Sequence, residues 1–206
     1  MSSVAPQTAL IVFVKNPELG KVKTRLAAQI GEQRALDIYL NLLNYTHSIA
    51  TSWDAHVRVY YSDFIPDVDL WDVGFGTKHL QTGNDLGERL EHAVEETFSD
   101  GFEIVIVIGS DCPKLNVEHL KKACIELADV DVVVGPAKDG GYYLIGMKSP
   151  QMELFRDKTW SSPSLFDQTM DTMIKNGLSW YELPILGDID TVEDLERYSF
   201  MDSVLS

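Results

Sequence analysis

Cysteine, histidine and positive charge are all scarce in this chain. Its 206 residues include two cysteines, five histidines and 17 lysines and arginines against 32 aspartates and glutamates, a formal net charge of −15. Cys112 and Cys124 have no metal-ligand or disulfide spacing, and His47, His56, His79, His92 and His119 form no HxH or HExxH pattern. Structural zinc and a disulfide scaffold are therefore not expected. A reduced, cytoplasmic setting follows. The acidic balance repels a polyanion unless basic residues form a broad stripe, and none is present, so nucleic acid is not an expected partner. No apolar run approaches the ~20 residues that cross a bilayer, and the opening MSSVAPQT lacks the basic start of an export signal. Neither a membrane nor export is expected.

With 45% hydrophobic residues and charge distributed among apolar periodic segments, the composition is that of a globular protein. Its length suits a single domain over residues 1–206 with one sizeable core. Short runs rich in Val, Ile and Tyr alternate with segments of helical period, which predicts an α/β fold. The expected strands are Ala9 to Val14, Val57 to Tyr61, Ile104 to Ile108, Asp131 to Val134, Tyr142 to Met147 and Trp180 to Leu183. Expected helices are Gln33 to Ile49, Leu86 to Phe98, Val117 to Leu127, Ser164 to Asn176 and Thr191 to Tyr198. The run IVIVI (104–108) is apolar at every position and belongs mid-sheet, buried on both faces. Asn116 is placed to cap its helix, and the recurrence of Leu120, Ala123, Cys124 and Leu127 assigns Cys124 to the core. The segment from Asp63 to Lys78 reads as an irregular excursion packed by Trp71 and Phe75.

Against this acidic background, KNPELGKVKTRLA (Lys15 to Ala27) gathers Lys15, Lys21, Lys23 and Arg25 within eleven positions, directly behind the strand ALIVFV. In open α/β sheets ligands bind at the carboxyl ends of strands, and lysines together with a helix N-terminus favour phosphate oxygens. The stretch is not a Walker loop, because Lys15 stands at its first glycine and Val22 at its hydroxyl position. The alternative is a solvated basic loop.

Four further stretches bear candidate groups. GSDCP (109–113) follows the central strand, where Asp111 is placed to ligate a divalent ion or simply to shape a turn. In GPAKDGGYYLIGM (135–147) an Asp-Gly pair signals a hairpin, while Gly140 and Gly141 would let a ligand approach the backbone beside Asp139 or Lys138. In GDIDTVEDL (187–195) a Thr191–Asp194 capping box explains part of the motif. Asp188 and Asp190, two apart in extended chain, share a side and offer a further metal carboxylate. QTGNDLGERL (81–90) opens a helix with Gly83, Gly87 and Arg89; Arg89 reaches a phosphate or base edge, or pairs with a nearby acid.

These motifs, in this order over nearly the whole chain, resemble the nucleotide-diphospho-sugar transferase superfamily of GT-A fold, and most closely its radical-SAM/selenodomain-associated, glycosyltransferase-like branch. They are also similar to the 2-phospholactate guanylyltransferases and the molybdenum-cofactor nucleotidyltransferases. The resemblance implies a Rossmann-like three-layer α/β/α sandwich with a mixed, mainly parallel sheet and a nucleotide over its carboxyl edge. It implies Mg2+ or Mn2+ on Asp111 with a second contact from Asp188 or Asp190. Lys15, Lys23 and Arg25 would face the phosphates, with Gly20, Lys21, Gly83, Arg89, Asp139, Gly140 and Gly141 around the nucleotide. The single aspartate of SDC departs from the DxD of many GT-A glycosyltransferases. The expected activity is a metal-dependent transfer of a nucleotidyl group from an NTP to a small acidic or phosphorylated acceptor, with Lys23, Arg25 and Asp111 as the catalytic groups. Alternatives are glycosyl transfer from an NDP-sugar, with Asp139 as acceptor base, and a non-catalytic nucleotide-binding domain.

Overall fold

The computed structural model describes residues 7–71 and 76–198. Among these residues seven strands form one sheet: β1 (Thr8–Val14), β2 (His56–Tyr61), β3 (Gly76–Leu80), β4 (Ile104–Ile108), β5 (Val132–Pro136), β6 (Tyr142–Met147) and β7 (Trp180–Glu182). Their spatial order is β3-β2-β1-β4-β6-β5-β7. Pairings are parallel except for β6, which runs against both β4 and β5. The sheet is thus mixed and mainly parallel, as expected. IVIVI is its fourth strand, and all five residues are buried.

The alternation along the strands divides the core into two layers. Leu10, Val12 and Val14 of β1, with Ile104, Ile106 and Ile108 of β4, pack against α2 (Glu32–Thr51) and α4 (Val117–Glu126). Ile11, Val105 and Val107 point to the other face, against α3 (Leu86–Ser99) and α5 (Leu165–Lys175). Opposite faces of one strand feed opposite cores because successive side chains alternate. A smaller apolar cluster joins Leu26 of α1 (Thr24–Ile30) to Ala35, Ile38 and Leu42 of α2, and to Ile189 and Tyr198 near α6 (Val192–Arg197).

Side-chain caps lie where the sequence places them. Asn116 Oδ1 accepts from the Glu118 and His119 N–H groups at 3.0 and 3.3 Å, and His119 Nδ1 accepts in return from the Asn116 N–H. Thr191 and Asp194 form the second reciprocal box. Two elements differ from expectation. The irregular excursion ends early, because residues 76–80 form β3 in parallel register with β2. As an edge strand with largely exposed side chains, GTKHL carries no apolar alternation to announce itself. Trp71 is buried as expected, edge-on to His47; Phe75 lies outside the described residues. The other difference is α1, a seven-residue helix preceding the expected one and separated from it by Gly31 at φ 89°.

Candidate active site

The candidate groups come from four loops, after β1, β4, β5 and β7, all at the sheet's carboxyl edge. Behind β1, the buried Asn16 fixes the loop's departure: its amide donates to the Phe64 carbonyl (2.8 Å) and its Oδ1 accepts from the Asp63 N–H (3.0 Å). Tyr39 of α2 joins this loop to the one after β4. Its hydroxyl accepts from the Lys15 N–H (2.9 Å) and lies 3.0 Å from the Lys15 carbonyl oxygen and 3.2 Å from Ser110 Oγ. Burial pushes this phenol up to about 12, so at neutral pH it acts as a fixed hydrogen-bonding clamp.

Lys23 occupies the N-cap of α1 in a left-handed conformation, φ 46° and ψ 44°. That conformation is uncommon for a residue with a Cβ, costs of order 1–3 kcal/mol and clusters at functional sites. Here it accompanies a side chain driven inward: only 4% of it is exposed, and Nζ donates to Asp111 Oδ2 at 3.0 Å and Asp190 Oδ1 at 2.9 Å. Arg25, largely exposed, stands 3.9 Å from the other oxygen of Asp190. The two carboxylates outweigh burial and raise the Lys23 pKa above that of an ordinary lysine. Reciprocally, the Lys23 ammonium holds Asp111 below the usual carboxylate range.

Asp188 completes the acidic group, with one oxygen from each of Asp111, Asp188 and Asp190 lying within 4.8 Å of the others. Burial, followed by the charges of Asp111 and Asp190, pushes the Asp188 carboxyl up to about 6. The cluster thus has more negative charge than Lys23 alone neutralises. Three crowded oxygen donors at this edge fit a hard divalent cation such as Mg2+. Cys112 lies beside them, but burial pushes its thiol up to about 12 and its Sγ donates to the Gly187 carbonyl (3.7 Å). It supports the Asp188 segment and is not poised as a nucleophile.

Two adjoining cavities meet at this cluster. One, of about 480 Å³, is lined by Lys15, Val22, Lys23, Thr24, Arg25, Tyr39 and Gln81. The other, of about 290 Å³, is lined by Leu90, Gly141, Tyr142, Trp160, Leu165 and Asp188. Asp111, Asp139 and Asp190 border both, together with Phe13 and Leu86.

Of the residues expected from the sequence, Lys15, Lys23, Arg25, Asp111, Asp139, Gly141, Asp188 and Asp190 therefore converge. The others line neither cavity. Lys21 turns back to Glu18 at 2.9 Å, with Gly20 beside it in the same loop. Arg89 donates to the Gly83 carbonyl (3.1 Å) and to Gln81 Oε1 (3.4 Å), which steadies the amide of a lining residue. Gly140 sits in the β5–β6 turn at φ 89°, where a Cβ would come within 2.1 Å of the Pro163 carbonyl oxygen. Its glycine is needed for the turn and for that packing. Asp139 Oδ1 accepts from the Gly141 N–H (2.9 Å), so the hairpin reading of this stretch holds as well.

Tyr39, Gln81, Tyr142 and Trp160 were not anticipated from the sequence. Gly87 carried a signal for Trp160: a Cβ there would lie 2.5 Å from the indole nitrogen, so the glycine lets the indole close on α3.

The sequence and the fold have relatives. Residues 45–162 match the model of a family described as an uncharacterized protein conserved in bacteria, DUF2064. A crystal structure from Desulfovibrio desulfuricans G20, whose proposed assignment is nucleotide-diphospho-sugar transferase, shares 33% identity at a TM-score of 0.88, over 95% of this chain and 87% of that one. A 2-phospho-L-lactate guanylyltransferase of Methanocaldococcus sp. (strain FS406-22) is 22% identical over 188 residues, covering 89% of this chain and 78% of that protein. The inositol-1-phosphate CTP transferase of T. maritima superposes at a TM-score of 0.59 with 15% identity, over 98% and 97% of the two chains. The fold is the GT-A type that the sequence implied. With more than half its length matched by the family model, and a close structural relative at 33% identity, the chain belongs to the DUF2064 family.

Proposed function

We propose that this protein transfers a nucleotidyl group from an NTP to a small-molecule acceptor and releases pyrophosphate. The observation that carries the reading is Lys23, held by two aspartates on the border between a cation-lined cavity and a second cavity of different character. Asp111, Asp188 and Asp190 would hold Mg2+ or Mn2+. When bound, such an ion withdraws charge from the phosphates and orients the triphosphate.

The chain's own residues account for the rest. Lys15, Lys23 and Arg25 line the larger cavity and face the phosphates, where fixed cations stabilise charge that develops as pyrophosphate leaves. Tyr39 ties the Lys15 loop to Ser110, so the cationic wall and the acidic cluster keep their spacing. Burial of Lys23 means its charge is placed before substrate arrives, which limits reorganisation. The acidic or phosphorylated acceptor expected from the sequence would find no cationic side chain lining the smaller cavity among the described residues.

A thermal-stabilisation panel of NTPs and NDP-sugars with Mg2+ tests the reading, because a ligand that binds only the native state raises its stability. One NTP should stabilise most, and Asp111→Asn should abolish that gain. The Desulfovibrio relative's assignment favours a second reading, glycosyl transfer, which would replace the first if an NDP-sugar alone stabilises the protein. A response to neither class removes both.

A further inference from the structure

Among the described residues, no lysine, arginine or histidine lines the smaller cavity, whereas Asp111, Asp139, Asp188 and Asp190 all border it. A divalent cation and the Lys23 ammonium together would balance three of those four carboxylates, and the nearest further cation, the largely exposed Arg25 3.9 Å from Asp190, belongs to the lining of the larger cavity. A phosphate or carboxylate entering this space meets those carboxylates at short range with no cationic side chain on the same wall, and partial desolvation strengthens the repulsion. The larger cavity shares Asp111, Asp139 and Asp190 but sets Lys15, Lys23 and Arg25 beside them.

The remaining wall is mainly apolar and includes Phe13, Leu86, Leu90, Tyr142, Trp160 and Leu165. Tyr142 and Trp160 meet edge to face, with centroids 6.4 Å apart at 76°. At about 290 Å³ the cavity is near the lower end of the ~300–1,000 Å³ of small-molecule sites, room for a ring-sized body. Tyr142 lines the cavity, and its buried hydroxyl has no hydrogen-bond partner among the described residues. Such a group costs stability until a polar atom reaches it.

We infer that the smaller cavity takes the acceptor, a non-anionic alcohol on an apolar, ring-sized body, seated against Tyr142 and Trp160 with its hydroxyl toward the carboxylate cluster. The acceptor role rests on the nucleotidyl transfer proposed above. In that reaction the alcohol oxygen bonds to the α-phosphorus as the bond from that phosphorus to the bridging oxygen of the β-phosphate breaks. Pyrophosphate leaves with the electron pair, and Asp139, on the border of both cavities, takes the hydroxyl proton.

Benzyl alcohol and phenyl phosphate, which share a ring and differ in charge, are the probes. Saturation-transfer NMR on the full chain, with Mg2+ and an α,β-methylene NTP analogue, measures both. Benzyl alcohol should bind at least fivefold more tightly. Trp160→Ala and Tyr142→Phe should each raise its Kd threefold or more, while the Kd of the analogue stays within twofold. Tyr142→Phe, which removes only an unpaired hydroxyl, carries the test alone if Trp160→Ala does not fold. Equal or tighter binding of phenyl phosphate overturns the inference, as does alcohol binding that neither variant weakens. An analogue that fails to bind the wild-type protein, with the alcohol preference intact, sinks nucleotidyl transfer and the acceptor role with it, while the cavity's selectivity has still been measured.

Discussion

Replacing Lys23 by methionine keeps most of the side-chain volume and removes the ammonium 3.0 Å from Asp111 and 2.9 Å from Asp190. At an effective dielectric of about 20, each contact is worth roughly 5 kcal/mol of Coulomb energy, much of it offset by the cost of burying the charges. Removing one partner of such a group costs about 3–5 kcal/mol. The aspartates are more than a third exposed, so about 3 kcal/mol is expected, or a fall in Tm of roughly 6–12 °C for a domain of this size. The loss should depend on pH. Asp111 is depressed from its ordinary 3.8, so its contribution is present above that value and vanishes as acid protonates it. Lys23 is raised above its ordinary 10.5, so its contribution persists below that value and fades only as strong alkali deprotonates it. The gap between wild type and Lys23→Met should therefore be widest between about pH 5 and pH 10. In EDTA, urea unfolding measures this gap directly; millimolar Mn2+ should then narrow it, since a cation can occupy the space left by the ammonium. A loss below 1 kcal/mol, or a gap unchanged by both acid and Mn2+, would refute the electrostatic account.

Asp188→Asn should stabilise the metal-free protein by about 1–3 kcal/mol at pH 7.5, because the native environment penalises the charged carboxyl, whose pKa is raised to about 6. That advantage should shrink as pH falls from 6 toward 4, which denaturant midpoints at pH 7.5 and 4.5 would show, while stabilisation by Mn2+ weakens. Arg25→Ala removes a mostly exposed side chain 3.9 Å from Asp190. Its fold and Tm should be nearly unchanged, and calorimetry should show triphosphate affinity reduced about five- to tenfold with nucleoside affinity unaffected. Gly87→Ala places a Cβ 2.5 Å from both the Phe155 carbonyl oxygen and the Trp160 indole nitrogen. A destabilisation of about 1–3 kcal/mol, read from thermal melts, is expected from the overpacking.

The parts of this structure legible in the sequence are those with a local physical cause. IVIVI announces a strand buried on both faces, and Asn116 and Thr191 announce helix starts, because a period or a cap is a property of neighbouring residues. Asp111 was legible because the stretch GSDCP that carries it directly follows that strand. In contrast, β3 is held by pairing with β2 and has little apolar signal of its own, and α1 is short, with a left-handed lysine at its start and Gly31 at its end. The role of Tyr39 depends on bringing Lys15 and Ser110 to one hydroxyl, an arrangement no local pattern encodes. Trp160 and Tyr142 look like any other core aromatics until Gly87 and the sheet edge place them around a cavity. Lys21 and Lys23 are two residues apart, yet one bonds Glu18 at the surface and the other enters the acidic cluster, because only Lys23 takes the backbone turn that directs it inward.

A polar site of this kind cannot hold itself together, since Asp111, Asp188 and Asp190 repel one another. The free energy comes from the apolar residue between two of them. Ile189 is fully buried in the small cluster that also contains Leu26, Ala35, Ile38 and Leu42. In extended chain its neighbours project to the opposite side, so seating Ile189 in that cluster directs both aspartates toward the cavities. Leu26 follows Lys23 by one turn of α1 and packs into the same cluster. The ammonium and the carboxylates are thereby referred to one apolar anchor. Burying an isoleucine contributes about 1.5–3 kcal/mol. Raising Asp188 from 3.8 to about 6 costs at most about 3 kcal/mol at neutral pH. With Lys23 in place the two magnitudes are comparable, so the anchor offsets the crowding that remains and has little in reserve if the share of negative charge carried by Lys23 or a bound cation is lost. That dependence links the cluster's stability to its occupancy and makes Ile189, which touches no substrate, part of what keeps the site assembled.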